Sequence, residues 1–151
     1  VECGRHPNIK LFTLTELEKV QGQEGDFRIT LRKKPRYVDM DKCIACGLCA
    51  VKCPRKKIPN EFNLGLDKRS AAYILYGQTV PLKYAIDEKN CIYFKNGKCR
   101  VCQKLCPAGA IDFDQKEEFL DISVGSVILA SGFTAHDPSS QENLGYKELP
   151  D

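Results

Sequence analysis

The chain has no apolar run near the ~18 residues a membrane helix needs, so no membrane span is expected in its 151 residues. It has no secretion signal: residues 1–16 mix charge, His and Pro where an apolar core would stand. Export has no support, and the chain reads as cytoplasmic. Histidine is scarce, and His6 has no partner at metal-ligand spacing, so it reads as a surface or hydrogen-bonded side chain. Ser, His and carboxylates form no nucleophile–base arrangement visible in sequence order, and no residue is assigned to substrate chemistry. No Gly-rich loop of the dinucleotide-binding kind occurs. An initiating Met is missing, and the chain opens in mid-pattern, as a piece of a longer protein would.

What the chain does have is cysteine. Apolar residues make up 42% and charged ones 28%, a globular composition. Eight of the nine cysteines fall in two runs. Cys43, Cys46, Cys49 and Cys53, followed by Pro54, read C-x2-C-x2-C-x3-C-P. Cys91, Cys99, Cys102 and Cys106, followed by Pro107, repeat that order with the first gap stretched to seven residues, Ile92 to Lys98. The odd count and the tight triplets argue against disulfides, because such neighbours face a common centre more easily than each other. Zinc sites use pairs of C-x2-C or mixed Cys and His, a poor fit to two triplets with two Cys-Pro cysteines. A thioredoxin-like pair is also a poor fit, since C-x2-C occurs only inside the longer runs. The runs follow the ligand pattern of bacterial-type two-cluster ferredoxins.

A [4Fe-4S] cubane presents its irons at the corners of a tetrahedron. Cysteines at i, i+3 and i+6 can wrap three of them, and in two-cluster ferredoxins the fourth ligand is the Cys before Pro in the other run. The first cluster is thus expected on Cys43, Cys46, Cys49 and Cys106, and the second on Cys91, Cys99, Cys102 and Cys53. Pro54 and Pro107 lack an N–H and end each local helix, and Gly47 allows close backbone approach to a cluster. Eight thiolates and two oxidised cores would turn the formal +3 into about −1, so the balance does not point to nucleic acid. Arg32, Lys33, Lys34, Arg36, Lys52, Arg55, Lys56 and Lys57 flank the first run. They read as solvated charge, the sharper alternative being a positive rim that docks an acidic partner or raises the first cluster's potential. Cys3 reads as an unliganded thiol, or else as a ligand whose partners lie upstream.

In chain order, loop-like residues 1–10 precede a β-hairpin expected from Leu17 to Pro35, turning at Gly22–Asp26, with Phe27, Ile29 and Leu31 on one face. Val38-Asp39 and Ile86-Asp87 stand at matching places before the two runs, each after a tyrosine, which suggests a pseudo-twofold domain of strand, ligand loop and short helix. Ala110 to Phe113 reads as the returning strand. Between the copies, Asp67 to Gly77 reads as one helix capped at both ends, with Ala71, Ile74 and Leu75 as its apolar stripe. Leu120, Ile122 and Val124 alternate, and Val127 to Ala130 reads as a buried strand. The tail from His136 to Asp151 reads as loop.

Several segments carry a family resemblance. Gly4 to Ile9, Lys33 to Val38, Val80 to Leu82, Ile86 to Phe94 and Cys106 to Gln115 together resemble the iron–sulfur flavoprotein of heterodisulfide reductase, found in methanogens with relatives in anaerobic bacteria. The resemblance implies an α+β chain: a two-cluster ferredoxin domain at 37–114 inserted in a thioredoxin-reductase-like flavoprotein domain. Pieces of that domain would be 1–36, with the hairpin, and 115–151, with the returning strand Val127 to Gly132. Ser131 and Gly132 resemble the turn that approaches FAD in such flavoproteins, although this chain alone is not expected to hold FAD. The implied function is electron transfer through two [4Fe-4S] clusters within an oxidoreductase complex. The implied partners are the other subunits of the complex and a ferredoxin or hydrogenase-type electron partner. A stand-alone ferredoxin carrier and a structural cluster-binding docking module are the alternatives.

Overall fold

The computed structural model describes residues 2, 4, 6–133, 143, 145 and 146. Cys3 and most of the tail from His136 lie outside the described residues. Two parts follow from the local chemistry: a three-stranded antiparallel sheet, and a small domain in which short pairings hold cysteine-bearing loops.

The sheet has the order β1 (Thr15–Gln23), β2 (Asp26–Lys33), β7 (Glu118–Val124), with β2 in the middle. Its register puts Leu17 opposite Leu31 and Val20 opposite Ile29, then Leu31 opposite Leu120 and Ile29 opposite Ile122. Directly opposed apolar pairs of this kind contribute about 0.2–1 kcal/mol each. Arg32 pairs with Glu16 at 2.7 Å and with Glu18 at 3.2 Å, and Lys33 with Glu118 at 3.0 Å. The hairpin is thus present, but it begins at Thr15 and turns on Glu24-Gly25, a tighter turn than Gly22–Asp26. Gly25 supplies the positive φ, 84°, and donates its N–H to the Gly125 carbonyl at 3.1 Å, so the turn also holds the end of β7.

The expected returning strand at Val127 to Gly132 is not formed. The chain returns one segment earlier, in β7, where Leu120, Ile122 and Val124 are half-buried and alternate with exposed residues. Ile128 and Leu129 are 89% and 80% exposed. An apolar run forms a buried strand only where a partner strand and a covering layer exist, and the open position beside β2 is already taken by Glu118–Val124.

The small domain lies between β2 and β7. It contains α1 (Leu48–Val51), β3 (Ile58–Pro59), β4 (Lys68–Arg69), β5 (Ala72–Tyr73), β6 (Ala85–Ile86), α2 (Ile92–Asn96) and α3 (Val101–Leu105). β3 pairs with β4, β5 pairs with β6, and Val38 makes a single bridge to Ile111. The Ala110 to Phe113 strand is therefore reduced to that bridge. Tyr37, Val38, Ile58, Ala71, Ala72, Ile86, Ala110, Ile111 and Phe113 form the core, with cysteine side chains packed against it. Tyr93 stacks on Phe113 at 4.0 Å and Phe94 meets Tyr37 at 4.4 Å.

The helix expected over Asp67 to Gly77 is replaced by β4 and β5. Its backbone groups bond far along the chain instead of four residues away. Ala71 donates its N–H to the Arg55 carbonyl at 2.9 Å and accepts from the Asp87 N–H at 2.7 Å. Asp67 serves the preceding turn, accepting from the Asn60 side chain at 3.2 Å. Three apolar positions with plausible caps carry little intrinsic helix energy, and tertiary pairing outweighs it. The stretched gap of the second run is not an open loop: Ile92–Asn96 is helical and ends on Gly97 at φ 72°.

Arg69 ties this segment to the second cysteine loop. Its side chain is 8% exposed and pairs with the Asp87 side chain, 11% exposed, at 2.9 Å. It also bonds Glu61 and lies 4.0 Å from the Tyr73 ring centroid. Arg69→Met leaves the Asp87 carboxylate buried without its cation, and chemical denaturation is expected to read a loss of about 3–5 kcal/mol. Adding Asp87→Asn should recover part of it.

Candidate metal centres

Each cysteine loop begins the same way. Asp39 donates its N–H to Ala110 at 2.7 Å and Asp87 donates to Ala71 at 2.7 Å. Four residues later the Cys43 N–H donates back to the Asp39 carbonyl at 3.0 Å, and the Cys91 N–H to the Asp87 carbonyl at 2.8 Å. Both Asp side chains accept the N–H of the residue three places on, Lys42 at 3.3 Å and Asn90 at 3.2 Å. An Asp at this place satisfies the turn with a short acceptor that few residues can supply. The internal repeat is therefore a repeat of hydrogen bonds, not only of spacing.

These turns assemble two cavities. One is lined by Cys43, Cys46, Cys49 and Cys106, the other by Cys53, Cys91, Cys99 and Cys102. Each thus draws three cysteines from one run and the Cys-Pro cysteine from the other. The second cavity is closed by the apolar Ala71, Ala72, Ile86 and Ile92. The electrostatics repeat the grouping. Burial pushes the Cys49 thiol up to about 11, with the charges of Cys43, Cys46 and Cys106 adding to the effect. Burial raises Cys91, reinforced by Cys53 and Cys99, and pushes Cys102 up to about 12, where Cys91, Cys49 and Cys53 contribute. Cys102, in the second cavity, feels the charge of Cys49, in the first. Thiols held this far up keep their protons until a metal displaces them.

The donor set fits iron–sulfur clusters. Four thiols ring each cavity, and the Ala110 N–H donates to Cys106 Sγ at 3.3 Å, a bond that favours the thiolate. Among the described residues no three Cys, His, Asp or Glu side chains converge closely enough to share one metal ion. A cubane does not require that convergence, since each thiolate binds its own iron, whereas thiolates on one zinc lie only ~3.8 Å apart.

Local backbone explains the first loop. Gly47 stands before α1 at φ 81°, and a side chain there would meet the Tyr84 hydroxyl at 3.0 Å. Its close approach is thus to Tyr84, a residue that the cysteine pattern does not reveal. Ala45 also adopts a positive φ, 57°, a conformation that disfavours a side chain by about 1–2 kcal/mol and gathers at functional sites. The basic residues separate into two groups. Arg32, Lys33 and Lys34 are engaged with Glu16, Glu18 and Glu118, and Arg36 donates to the Lys83 and Tyr84 carbonyls. Lys52, Arg55, Lys56 and Lys57 are exposed beside Cys53. His6 is exposed and accepts the Asn8 N–H at 3.2 Å. Ser131 and Gly132 are exposed as well.

Residues 42–109 match the family described as a 4Fe-4S double cluster binding domain. The chain is 44% identical over 146 residues to the iron-sulfur protein HdrA of the CoB–CoM heterodisulfide reductase of Methanocaldococcus jannaschii, covering 97% of this chain and 21% of that protein. It is 46% identical to the HdrA component of the H2/formate:CoB-CoM heterodisulfide,ferredoxin reductase of Methanococcus maripaludis, again over 97% and 21%. It is 43% identical to that of the ferredoxin:CoB-CoM heterodisulfide reductase of Methanosarcina acetivorans, over 96% and 18%. The chain thus spans about a fifth of the length of these relatives.

Gly47→Ala forces a side chain into the left-handed region and against Tyr84. It is expected to cost more than about 1 kcal/mol, read as faster release of iron to a chelator.

Proposed function

We propose, from the premise that this chain belongs to the HdrA family of heterodisulfide reductases over nearly its whole length, that it relays electrons through two [4Fe-4S] clusters. One observation carries the reading: two neighbouring cavities, each ringed by four cysteines drawn crosswise from both runs. The clusters, when bound, take up and pass on single electrons. The chain's own part is to hold eight thiolates and keep water away with Ala71, Ala72, Ile86, Ala110 and Ile111.

The rest of the proposal concerns the longer protein. Residues 37–114 are a ferredoxin domain inserted between flanks that belong to a thioredoxin-reductase-like flavoprotein domain, 1–36 and 115–151. The pairing of β2 with β7 across the insert supports this, since two segments 85 residues apart form one sheet, as Lys33 does with Glu118. Ser131 and Gly132 would approach the FAD of the whole protein. The electron partners would be the other subunits of a heterodisulfide-reductase-like complex and a ferredoxin or hydrogenase-type protein, in the cytoplasm. A structural cluster-binding module is the competing reading. Clusters that accept no electron at any accessible potential, followed by EPR, would favour it.

Two measurements test the site. Iron and acid-labile sulfide should each approach about eight per chain; about four would mean that one run is not a site. Cys53→Ser should damage mainly the cluster built on Cys91, Cys99 and Cys102, and Cys106→Ser the one built on Cys43, Cys46 and Cys49. Damage confined to the mutated run's own cluster would refute crossed ligation.

A further inference from the structure

The two cavities match position for position over most of their walls. Val38 corresponds to Ile86, Ile44 to Ile92 and Ala110 to Ala71. Among the differences, two involve a charged or polar side chain. Arg55 stands where the first cavity has Ala108, and it is exposed, so solvent and salt screen its charge. Tyr84 has no counterpart in the second cavity. It is the single non-cysteine side chain with a polar atom on the first cavity's wall, and its hydroxyl faces the backbone at Gly47.

Tyr84 arrives with a cation. Lys83, half-buried, donates from Nζ to the carbonyl of Cys43 at 2.6 Å. That ammonium therefore sits on the backbone of a thiolate ligand rather than on the surface. The two residues are held in place from behind: Arg36 Nη1 donates to the Lys83 carbonyl at 3.1 Å and to the Tyr84 carbonyl at 3.4 Å, and Nη2 to Thr13 Oγ1 at 2.7 Å. Arg36 is itself close enough to feel the charge of Cys43. A phenol keeps its proton at neutral pH, so Tyr84 presents an O–H at the first cavity's wall. Asp39, the carboxylate at the head of the same loop, is engaged by Lys42 at 3.1 Å and by two backbone N–H groups.

We propose that Lys83 and Tyr84 are potential-setting residues for the first site, raising the reduction potential of the cluster held by Cys43, Cys46, Cys49 and Cys106 while leaving the second cluster untouched. This rests on the two-cluster reading above. Reduction delivers one electron from a one-electron donor and adds one negative charge to the site. A fixed, half-buried cation and an O–H donor favour the more negative state, because charge in a poorly solvated region is weakly screened and hydrogen bonds near the sulfurs stabilise added charge. Neither residue touches a reacting substrate; both act through the cluster's surroundings.

The test is an EPR-monitored redox titration of the cluster-loaded protein, with the first cluster's signal identified by its alteration in Cys46→Ser. Lys83→Met should lower the first midpoint potential and leave the second unchanged, and Lys83→Arg should restore most of the loss. Tyr84→Phe, which removes only an oxygen atom, should lower the same midpoint by a smaller amount, and it decides the matter if Lys83→Met loads poorly. Unmoved midpoints in Tyr84→Phe and Lys83→Met, or an equal shift of both clusters, would overturn the proposal. Iron and sulfide content separates the two levels. Wild-type protein far short of about eight irons sinks the two-cluster reading itself, whereas full loading with unmoved midpoints sinks only the role of Lys83 and Tyr84.

Discussion

Two short antiparallel contacts, Val38 with Ile111 and Ala72 with Ile86, hold the cysteines of this protein in place. Each joins the approach to one cysteine run to the exit from the other. Through them Cys106 reaches the first loop and Cys53 reaches the second. The contacts are only one or two residues long, and alone they would be marginal. They persist because the residues that make them are also the core: Val38, Ala72, Ile86 and Ile111 are all buried. Backbone pairing, core packing and ligand placement are thus carried by the same few side chains.

That core is thin. Its largest members are Tyr37 and Phe113, and much of its interior is Ala and Cys. A domain this small buries a modest share of its surface and commonly leans on metals for stability. With cysteines packed into the core, clusters held as proposed would be part of the interior, and their binding would be coupled to folding. The sheet is different in kind. β1, β2 and β7 use cross-strand apolar pairs and exposed ion pairs, contain no cysteine, and join segments on either side of the small domain. The sheet therefore ties together the two ends of the small domain.

The grouping of the thiols around two cavities was legible because cysteine spacing is a local code. Placing Cys49 six positions after Cys43 constrains a loop whatever surrounds it, and the Cys-Pro endings carry the crossing rule with them. Legibility failed where pairing is remote. In the second copy the returning Ala110 stands four residues after Cys106, but in the first the equivalent Ala71 stands eighteen residues after Cys53. The intervening β3–β4 hairpin hid the correspondence, and a local caps-and-stripe reading made a helix of a strand. Matching Asp39 and Ala110 to Asp87 and Ala71 across the repeat was the signal that could have found it. The apolar run at Val127 to Ala130 misled for a related reason: hydrophobicity reports what could be buried, not what is there to bury it.

The eight thiols, their division into two runs, the repeat, the hairpin and the alternating face of Leu120, Ile122 and Val124 all stand in the order of residues. Each depends on neighbours in the chain, where spacing and side-chain chemistry act directly. Other outcomes were settled in three dimensions: the strands within Asp67 to Gly77, the closing of the sheet through Glu118–Val124, and the placing of Lys83 and Tyr84 at the first cavity and not the second. These turn on which distant backbone group is free to accept a hydrogen bond and which surface is left to cover, and neither is written in any local stretch of the chain.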